Sequence, residues 1–89
     1  MEHSGKHALV TGGGTGIGAG IAVALADAGA TVTITGRRHD KLAEVADSHP
    51  NIHARTMDVA DEASVQDGIQ AAADTHGPIQ ICIANAGIA

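Results

Sequence analysis

The sequence predicts an α/β fold with a doubly wound parallel sheet, in which residues 1–89 form the N-terminal βαβαβαβ part. Four short runs rich in apolar or β-branched residues alternate with three segments of helical periodicity, and the connections between them are short. A glycine-rich turn joins the first run to the first helical segment. Such alternation is typical of parallel strands joined by right-handed helical crossovers, here in the predicted order 3-2-1-4.

The predicted elements follow from apolar spacing and from the residues that interrupt it. The strands cover His7–Thr11, Ala30–Thr35, Asn51–Asp58 and Ile79–Ala84, and the helices cover about Gly16–Ala28, Asp40–Ser48 and Asp61–His76. The inner faces expected from helical spacing are Ile17, Ile21, Leu25 and Ala28 in the first helix, Leu42, Val45 and Ala46 in the second, and Val65, Ile69 and Ala73 in the third.

Composition excludes several classes of function. The net charge of −5 argues against nucleic acid and anionic membrane surfaces as partners. The first residues lack the apolar region of a signal peptide, and one cysteine cannot form an internal disulfide. We therefore expect a cytoplasmic protein. The chain has no Phe, Trp or Tyr and has 12 glycines, so a free-standing core would be hard to stabilise.

The glycine-rich turn predicts a phosphate-binding site. The segment reads Ala8-Leu9-Val10-Thr11-Gly12-Gly13-Gly14-Thr15-Gly16-Ile17-Gly18-Ala19. A turn of this kind places backbone N–H groups at the positive end of a helix, where a phosphate or pyrophosphate is favoured. Glycines can also serve only to pack a helix closely on a sheet. The position of this turn, after a strand and before a helix, favours nucleotide binding.

Two arginines follow the second predicted strand, in the segment Thr35-Gly36-Arg37-Arg38. Dinucleotide-binding folds that prefer NAD place an acidic residue here, which accepts hydrogen bonds from the ribose. In this chain Gly36 takes that position, and the guanidinium groups of Arg37 and Arg38 suit a 2′-phosphate. The pattern favours NADP (NADPH) over NAD. The alternative is a solvated pair of arginines at a helix start, which would leave an NAD-preferring protein.

The spacing Thr11-Gly12, three residues, Gly16, one residue, Gly18 resembles that of the short-chain dehydrogenase/reductase family. Asp58-Val59, at the end of the third predicted strand, is similar to the adenine-binding pair of that family. The segment Ala84-Asn85-Ala86-Gly87 resembles the family's N-N-A-G segment, with Ala84 in place of the first Asn. The resemblance implies a Rossmann fold and transfer of a hydride between a nicotinamide and a carbonyl or secondary alcohol substrate.

The resemblance also implies which residues bind the cofactor. They are Gly12, Thr15, Gly16, Ile17, Gly18, Arg37, Arg38, Asp58, Val59, Asn85, Ala86 and Gly87. Thr15 and the Ile17 backbone are expected near the ribose and pyrophosphate. Asp58 is expected to bind the adenine amino group and the Val59 backbone the ring edge, although Asp58 could instead cap its own loop.

The catalytic Ser and the Tyr-x-x-x-Lys pair of the family lie beyond the fourth strand, and these 89 residues contain no tyrosine. We therefore expect the chain to supply the cofactor-binding half of a single domain. The rest of the same protein, or a complementary chain, would pair with the apolar edge of Ile79, Ile81 and Ile83, and the complete protein would form a homo-oligomer. The alternative is a non-catalytic nucleotide-binding or interaction module.

Other reactive side chains receive structural interpretations. The six histidines are expected on the surface or in loops rather than in a metal site; they are His3, His7, His39, His49, His53 and His76. Cys82 lies in an apolar strand, where a buried, inert thiol is expected. Asp61 and Glu62 are expected to act as charges at a helix start, with Asp61 as the cap.

Overall fold

A computed structural model describes residues 5–12, 14 and 16–84 of the chain. Its seven elements alternate as predicted. The strands are β1 (His7–Thr11), β2 (Thr31–Gly36), β3 (Ile52–Thr56) and β4 (Ile81–Ala84), and the helices are α1 (Gly16–Asp27), α2 (His39–Asp47) and α3 (Glu62–His76). The strands form one parallel sheet in the order β3-β2-β1-β4, which confirms the predicted fold class and strand order.

The main core lies between one face of the sheet and the helices α1 and α2. Alternate residues of neighbouring strands meet in register on this face, as Ala8 with Val32 and Val10 with Ile34 do. Leu42 of α2 is buried in the same cluster. Since Val45 and Ala46 pack against the cluster, the predicted inner face of α2 is confirmed.

The inner face predicted for α1 is correct for Ile21 and Leu25, which pack against the core, and wrong for Ile17. The residues buried against the sheet are Gly18, Ala22 and Ala26. Ile17 is 75% exposed, while Ile21 and Leu25 pack at the sides of the core. Small residues at four-residue spacing let the helix axis approach the sheet closely, so the larger side chains lie on the flanks.

The inner face predicted for α3 is wrong for the same reason. Gly68 and Ala72 are its buried residues, and Ile69 is 39% exposed. Gly68 lies so close to Met57 that a Cβ added at this glycine would be 2.7 Å from the Met57 Sδ. The cap was predicted correctly: the Asp61 carboxylate accepts hydrogen bonds from the backbone N–H groups of Ala63 and Ser64, at 3.0 and 3.3 Å.

The face of the sheet opposite the α1–α2 core contains polar side chains. His7 and Thr33 are each 2% exposed on this face, beside the buried Leu9. The rings of His7 and His53 contact His76 at the end of α3, so α3 packs on this face. The expectation that His7 lies on the surface or in a loop is therefore wrong.

Cys82, in the outer strand β4, is exposed, so the expectation of a buried thiol is wrong. Ile81 and Ile83 pack against the core cluster, and alternation places Cys82 on the opposite face, where its side chain is exposed. An edge strand covered on one face leaves every second residue open to solvent. None of the helices in the described part of the chain is long and apolar enough to cross a membrane.

Two helical glycines test whether close helix packing requires Gly68. Gly20 lies in α1, and a Cβ there would have no heavy atom within 4 Å. We expect Gly20→Ala to raise the free energy of unfolding by about 0.5–1 kcal/mol through helix propensity. Gly68→Ala gains the same propensity but must displace the Met57 side chain, so its free energy of unfolding should stay below that of Gly20→Ala. Urea denaturation measures both, and equal gains would contradict this packing.

Candidate functional site

The candidate site lies at the edge of the sheet where the parallel strands end. β1 is followed directly by Gly12 and β2 by Arg37, so the turn after β1 and the arginine segment meet at one place. The Gly12 N–H donates a hydrogen bond to the Thr35 carbonyl oxygen at 2.7 Å, which joins the two strand ends. This edge of a parallel sheet is where ligands bind in open α/β folds.

A pocket of about 200 Å³ opens between the turn after β1 and the first turn of α2. The lining residues are Gly12, Gly14, Gly36, Arg37, Arg38, Lys41 and Leu42. The structure thus brings together Gly12, Arg37 and Arg38 from the predicted cofactor-binding residues. It adds Lys41, which sequence reasoning missed.

Glycines shape the walls of this pocket. Gly12 has a φ value of 71°, in the left-handed region that favours glycine. Gly16, at the start of α1 and outside the pocket, has a φ value of 48° in the same region. A Cβ at Gly14 would lie 3.2 Å from the Lys41 Cβ, and one at Gly36 would lie 3.5 Å from the Leu42 Cδ2. Gly36 therefore closes the end of β2 against Leu42 and places no carboxylate beside the arginines.

The side chains around the mouth of the pocket are mostly cationic. Arg37 and Arg38 are exposed and Lys41 is half-buried. Arg38 holds the N-cap position of α2 and, among the described residues, its side chain makes no capping hydrogen bond. The positive end of α2 and three cationic side chains thus surround one small volume, and this arrangement favours an anion.

One carboxylate partly offsets these cations. The Arg38 guanidinium donates a hydrogen bond to the Asp40 carboxylate at 3.4 Å, and both side chains are largely exposed. Burial raises the pKa of Asp40, but hydrogen bonds from backbone N–H groups and the Arg38 charge lower that pKa more, to below its ordinary value. Asp40 is therefore ionised at neutral pH. Solvent screening makes such an exposed pair weak, so Arg38 can exchange it for another anion.

The remaining predicted residues lie outside this pocket or outside the described residues. Gly18 is buried in α1 against the core, which is the helix-packing alternative considered for these glycines. Ile17 and Val59 are large apolar side chains exposed to solvent, at 75% and 46%. Thr15, Asn85, Ala86 and Gly87 lie outside the residues that the structure describes.

Asp58 follows β3 in a short loop tied to α3. Its carboxylate accepts a hydrogen bond from the Ala60 N–H at 3.0 Å, and its own N–H donates to the Ser64 Oγ at 3.1 Å. The loop-capping alternative considered for Asp58 is thus present in the structure. A carboxylate has lone pairs for several donors, so this bond leaves room for a further ligand.

The sequence contains only part of the signal for Lys41, namely its spacing from the two arginines. It is the third cation in the run Arg37-Arg38-His39-Asp40-Lys41. Because α2 begins at His39, Lys41 lies in the first turn of the helix, close to Arg38. The glycine turn approaches this same turn of α2, and that approach could not be read from the sequence.

Comparison with known proteins agrees with this geometry. The family model described as short chain dehydrogenase matches residues 6–89. No curated protein matches the chain significantly. Many solved structures do match.

Three of these structures show the extent of the likeness. A short-chain dehydrogenase/reductase from Serratia marcescens has 34% sequence identity and a TM-score of 0.92, over 99% of this chain and 38% of that one. A Brucella melitensis 3-ketoacyl-(acyl-carrier-protein) reductase complexed with NADH has 35% identity and a TM-score of 0.85, over 89% of this chain and 33% of that one. A point mutant of actinorhodin polyketide ketoreductase with NADPH has 29% identity and a TM-score of 0.89, over 92% and 33%.

The chain spans between 33% and 38% of the length of these three proteins. Within that length it has their parallel sheet with alternating helices, and the two proteins solved with a cofactor hold a nicotinamide dinucleotide. On the family-model match and this shared fold, the chain belongs to the short-chain dehydrogenase family of oxidoreductases.

Proposed function

We propose that this chain supplies the cofactor-binding half of an NADP-dependent oxidoreductase that transfers a hydride between the nicotinamide and a carbonyl or secondary alcohol substrate. The observation that carries the proposal is the pocket at the end of β2, where Arg37, Arg38 and Lys41 surround a volume closed by Gly36. Similar structures hold NADPH in one case and NADH in another, so the choice of NADP rests on these cations.

The residues of the pocket fit the 2′-phosphate of NADP. A phosphate monoester carries close to two negative charges and offers several acceptor oxygens. The guanidinium groups supply planar pairs of donors, and the ammonium group supplies a third positive charge. Gly36, where an acidic residue would repel the phosphate, contributes no charge. The adenosine end of the cofactor would extend from here toward Asp58 and Val59.

The turn after β1 would hold the pyrophosphate. Its glycines at 12 and 16 have the left-handed backbone that such a turn requires, and α1 begins at Gly16. When bound, the nicotinamide supplies or accepts the hydride. The residues of this chain bind and orient the dinucleotide, and a catalytic tyrosine would have to come from outside these 89 residues, which contain none. We further propose a cytoplasmic, homo-oligomeric protein when complete.

The alternative function is a nucleotide-binding or interaction module without catalysis, and an activity measurement distinguishes the two. The intact protein containing this chain should oxidise NADPH when a carbonyl compound is added, measured as loss of absorbance at the nicotinamide band. A panel of small ketones and aldehydes serves as substrate, and NADPH without a carbonyl compound serves as the control. Tight NADPH binding with no carbonyl-dependent oxidation across the panel would support the alternative function.

If Arg37, Arg38 and Lys41 bind the 2′-phosphate, their removal should weaken the binding of NADPH more than that of NADH. We expect Arg37→Ala combined with Arg38→Ala to weaken NADPH binding by roughly 100-fold or more, and Lys41→Ala by roughly tenfold, because each lost charge-assisted hydrogen bond costs about 1.5–3 kcal/mol. The affinity for NADH should change little. Calorimetric titration of both cofactors measures the difference.

Two further variants control this measurement. Lys6→Ala removes an exposed cation outside the pocket and should leave both affinities unchanged. Asp40→Asn frees Arg38 from its carboxylate partner and should strengthen NADPH binding by roughly two- to fivefold, as expected for an exposed ion pair. Equal losses for NADPH and NADH in the Arg37 and Arg38 variant would refute phosphate recognition.

A further inference from the structure

Three histidine side chains form a contiguous group between the sheet and the end of α3, away from the cofactor pocket. We call His7 of β1, His53 of β3 and His76 of α3 the imidazole layer. The His76 ring stacks on His53, with centroids 4.2 Å apart and planes 19° apart. It also meets the edge of the His7 ring, with centroids at 5.5 Å and planes at 68°. One ring of α3 therefore packs against two strands.

His7 is held in one tautomer by two hydrogen bonds. Its Nδ1 lies 2.8 Å from the carbonyl oxygen of Gly77, the C-cap residue of α3. Because that oxygen only accepts, Nδ1 carries the proton and donates it. The Nε2 lies 2.7 Å from the Thr33 Oγ1 and accepts from this hydroxyl when the ring is neutral. The buried His7 thus joins β1 directly to the end of α3.

The charges around His76 are of one sign. From β1 it faces His7, and from β3 it faces His53 and Arg55. The acidic residues Asp67 and Asp74 of α3 are exposed, and Asp74 accepts a hydrogen bond from Gln70 at 2.9 Å. Burial lowers the pKa of His76 below its ordinary value of 6.5, and the charges of His53, His7 and Arg55 lower that pKa further. These effects outweigh the negative end of the helix, which would favour a cation.

The imidazole layer does not have the arrangement of a metal site. Within residues 5–12, 14 and 16–84, no group of three or more His, Cys, Asp or Glu side chains could hold a metal ion. Both nitrogens of His7 already have partners within the protein. The His7 ring therefore has no free nitrogen with which to bind a metal ion.

We propose that the imidazole layer is an acid-sensitive attachment of α3 to the sheet. At neutral pH the rings hold the end of α3 by stacking and by the His7–Gly77 hydrogen bond. In acid, protonation of His76 places a positive charge on the ring whose centroid is 4.2 Å from that of His53, beside Arg55. The end of α3 then separates from β1 and β3, because the charged His76 ring is better solvated away from Arg55.

The pH range in which the attachment of α3 weakens follows from the lowered pKa of His76. The folded state has the lower pKa, so the unfolded or detached state binds more protons near and below pH 6.5. The stabilising contribution of the layer is fully present above about pH 6.5 and is lost as the pH falls through the folded-state pKa. Each unit of pKa difference corresponds to about a tenfold change in the ratio of attached to detached molecules.

NMR of the wild-type intact protein tests the proposal without any substitution. The imidazole carbon resonance of His76 should titrate below pH 6.5. Hydrogen exchange, corrected for its intrinsic pH dependence, should show protection in the last turns of α3 falling roughly tenfold or more between pH 7.5 and 5.0. Protection in α2 should change less. Titration of His76 at or above 6.5, or equal changes in both helices, would overturn the proposal.

Variants separate the layer from general acid effects. His76→Gln removes the titrating ring and should flatten the dependence of α3 protection on pH, whereas His39→Gln should keep the wild-type dependence. If His76→Gln does not fold, His53→Gln provides the second test. Loss of the stacked ring should then raise the pKa of His76 toward 6.5. An unchanged pKa of His76 in His53→Gln, or an unchanged pH dependence in His76→Gln, would contradict the proposal.

Discussion

The pairing of β1 on both of its edges is the constraint on which the rest of this structure depends. Residues 8–11 of β1 align with β2 on one side and with β4 on the other, all in the parallel direction. Parallel pairing brings the ends of the strands to one edge of the sheet, so the turn after β1 lies beside the arginine segment after β2. The pocket between the turn after β1 and the first turn of α2 is a direct consequence of this register, and so is the position of the imidazole layer beside β1 and β3.

The fold could be predicted from the sequence to a large extent, because alternation of strand-like and helix-like segments is a strong signal. Strand order followed from the topology of such folds, and the caps and breakers gave the element bounds to within a few residues. The inner faces of α1 and α3 could not be predicted in the same way. Apolar spacing predicted Ile17 and Ile69 on the inner faces, but close packing of the helices on the sheet needs the small residues Gly18 and Gly68. A pattern of apolar residues does not indicate how closely a helix packs on a sheet.

The candidate site, like the fold, could be predicted from the sequence only in part. Gly12, Arg37 and Arg38 were found from local motifs, because each motif lies at a strand end whose place in the sheet is fixed by topology. Lys41 was missed because its part in the pocket depends on how the turn after β1 approaches the first turn of α2. The imidazole layer depends on contacts between residues far apart in the sequence, since His76 is 23 positions from His53 and 69 positions from His7. Scattered histidines in a sequence give no sign of such a contact.

The proposed function depends on recognition of the 2′-phosphate of NADP by the pocket at the end of β2. Its most direct test compares adenosine 2′,5′-bisphosphate with adenosine 5′-monophosphate, two ligands that differ by that phosphate, in a calorimetric titration monitored in parallel by backbone amide NMR. We expect the bisphosphate to bind roughly tenfold more tightly or better, with the largest additional changes in amide chemical shift at residues 36–42. Equal affinities, or additional shifts located elsewhere in the chain, would contradict it.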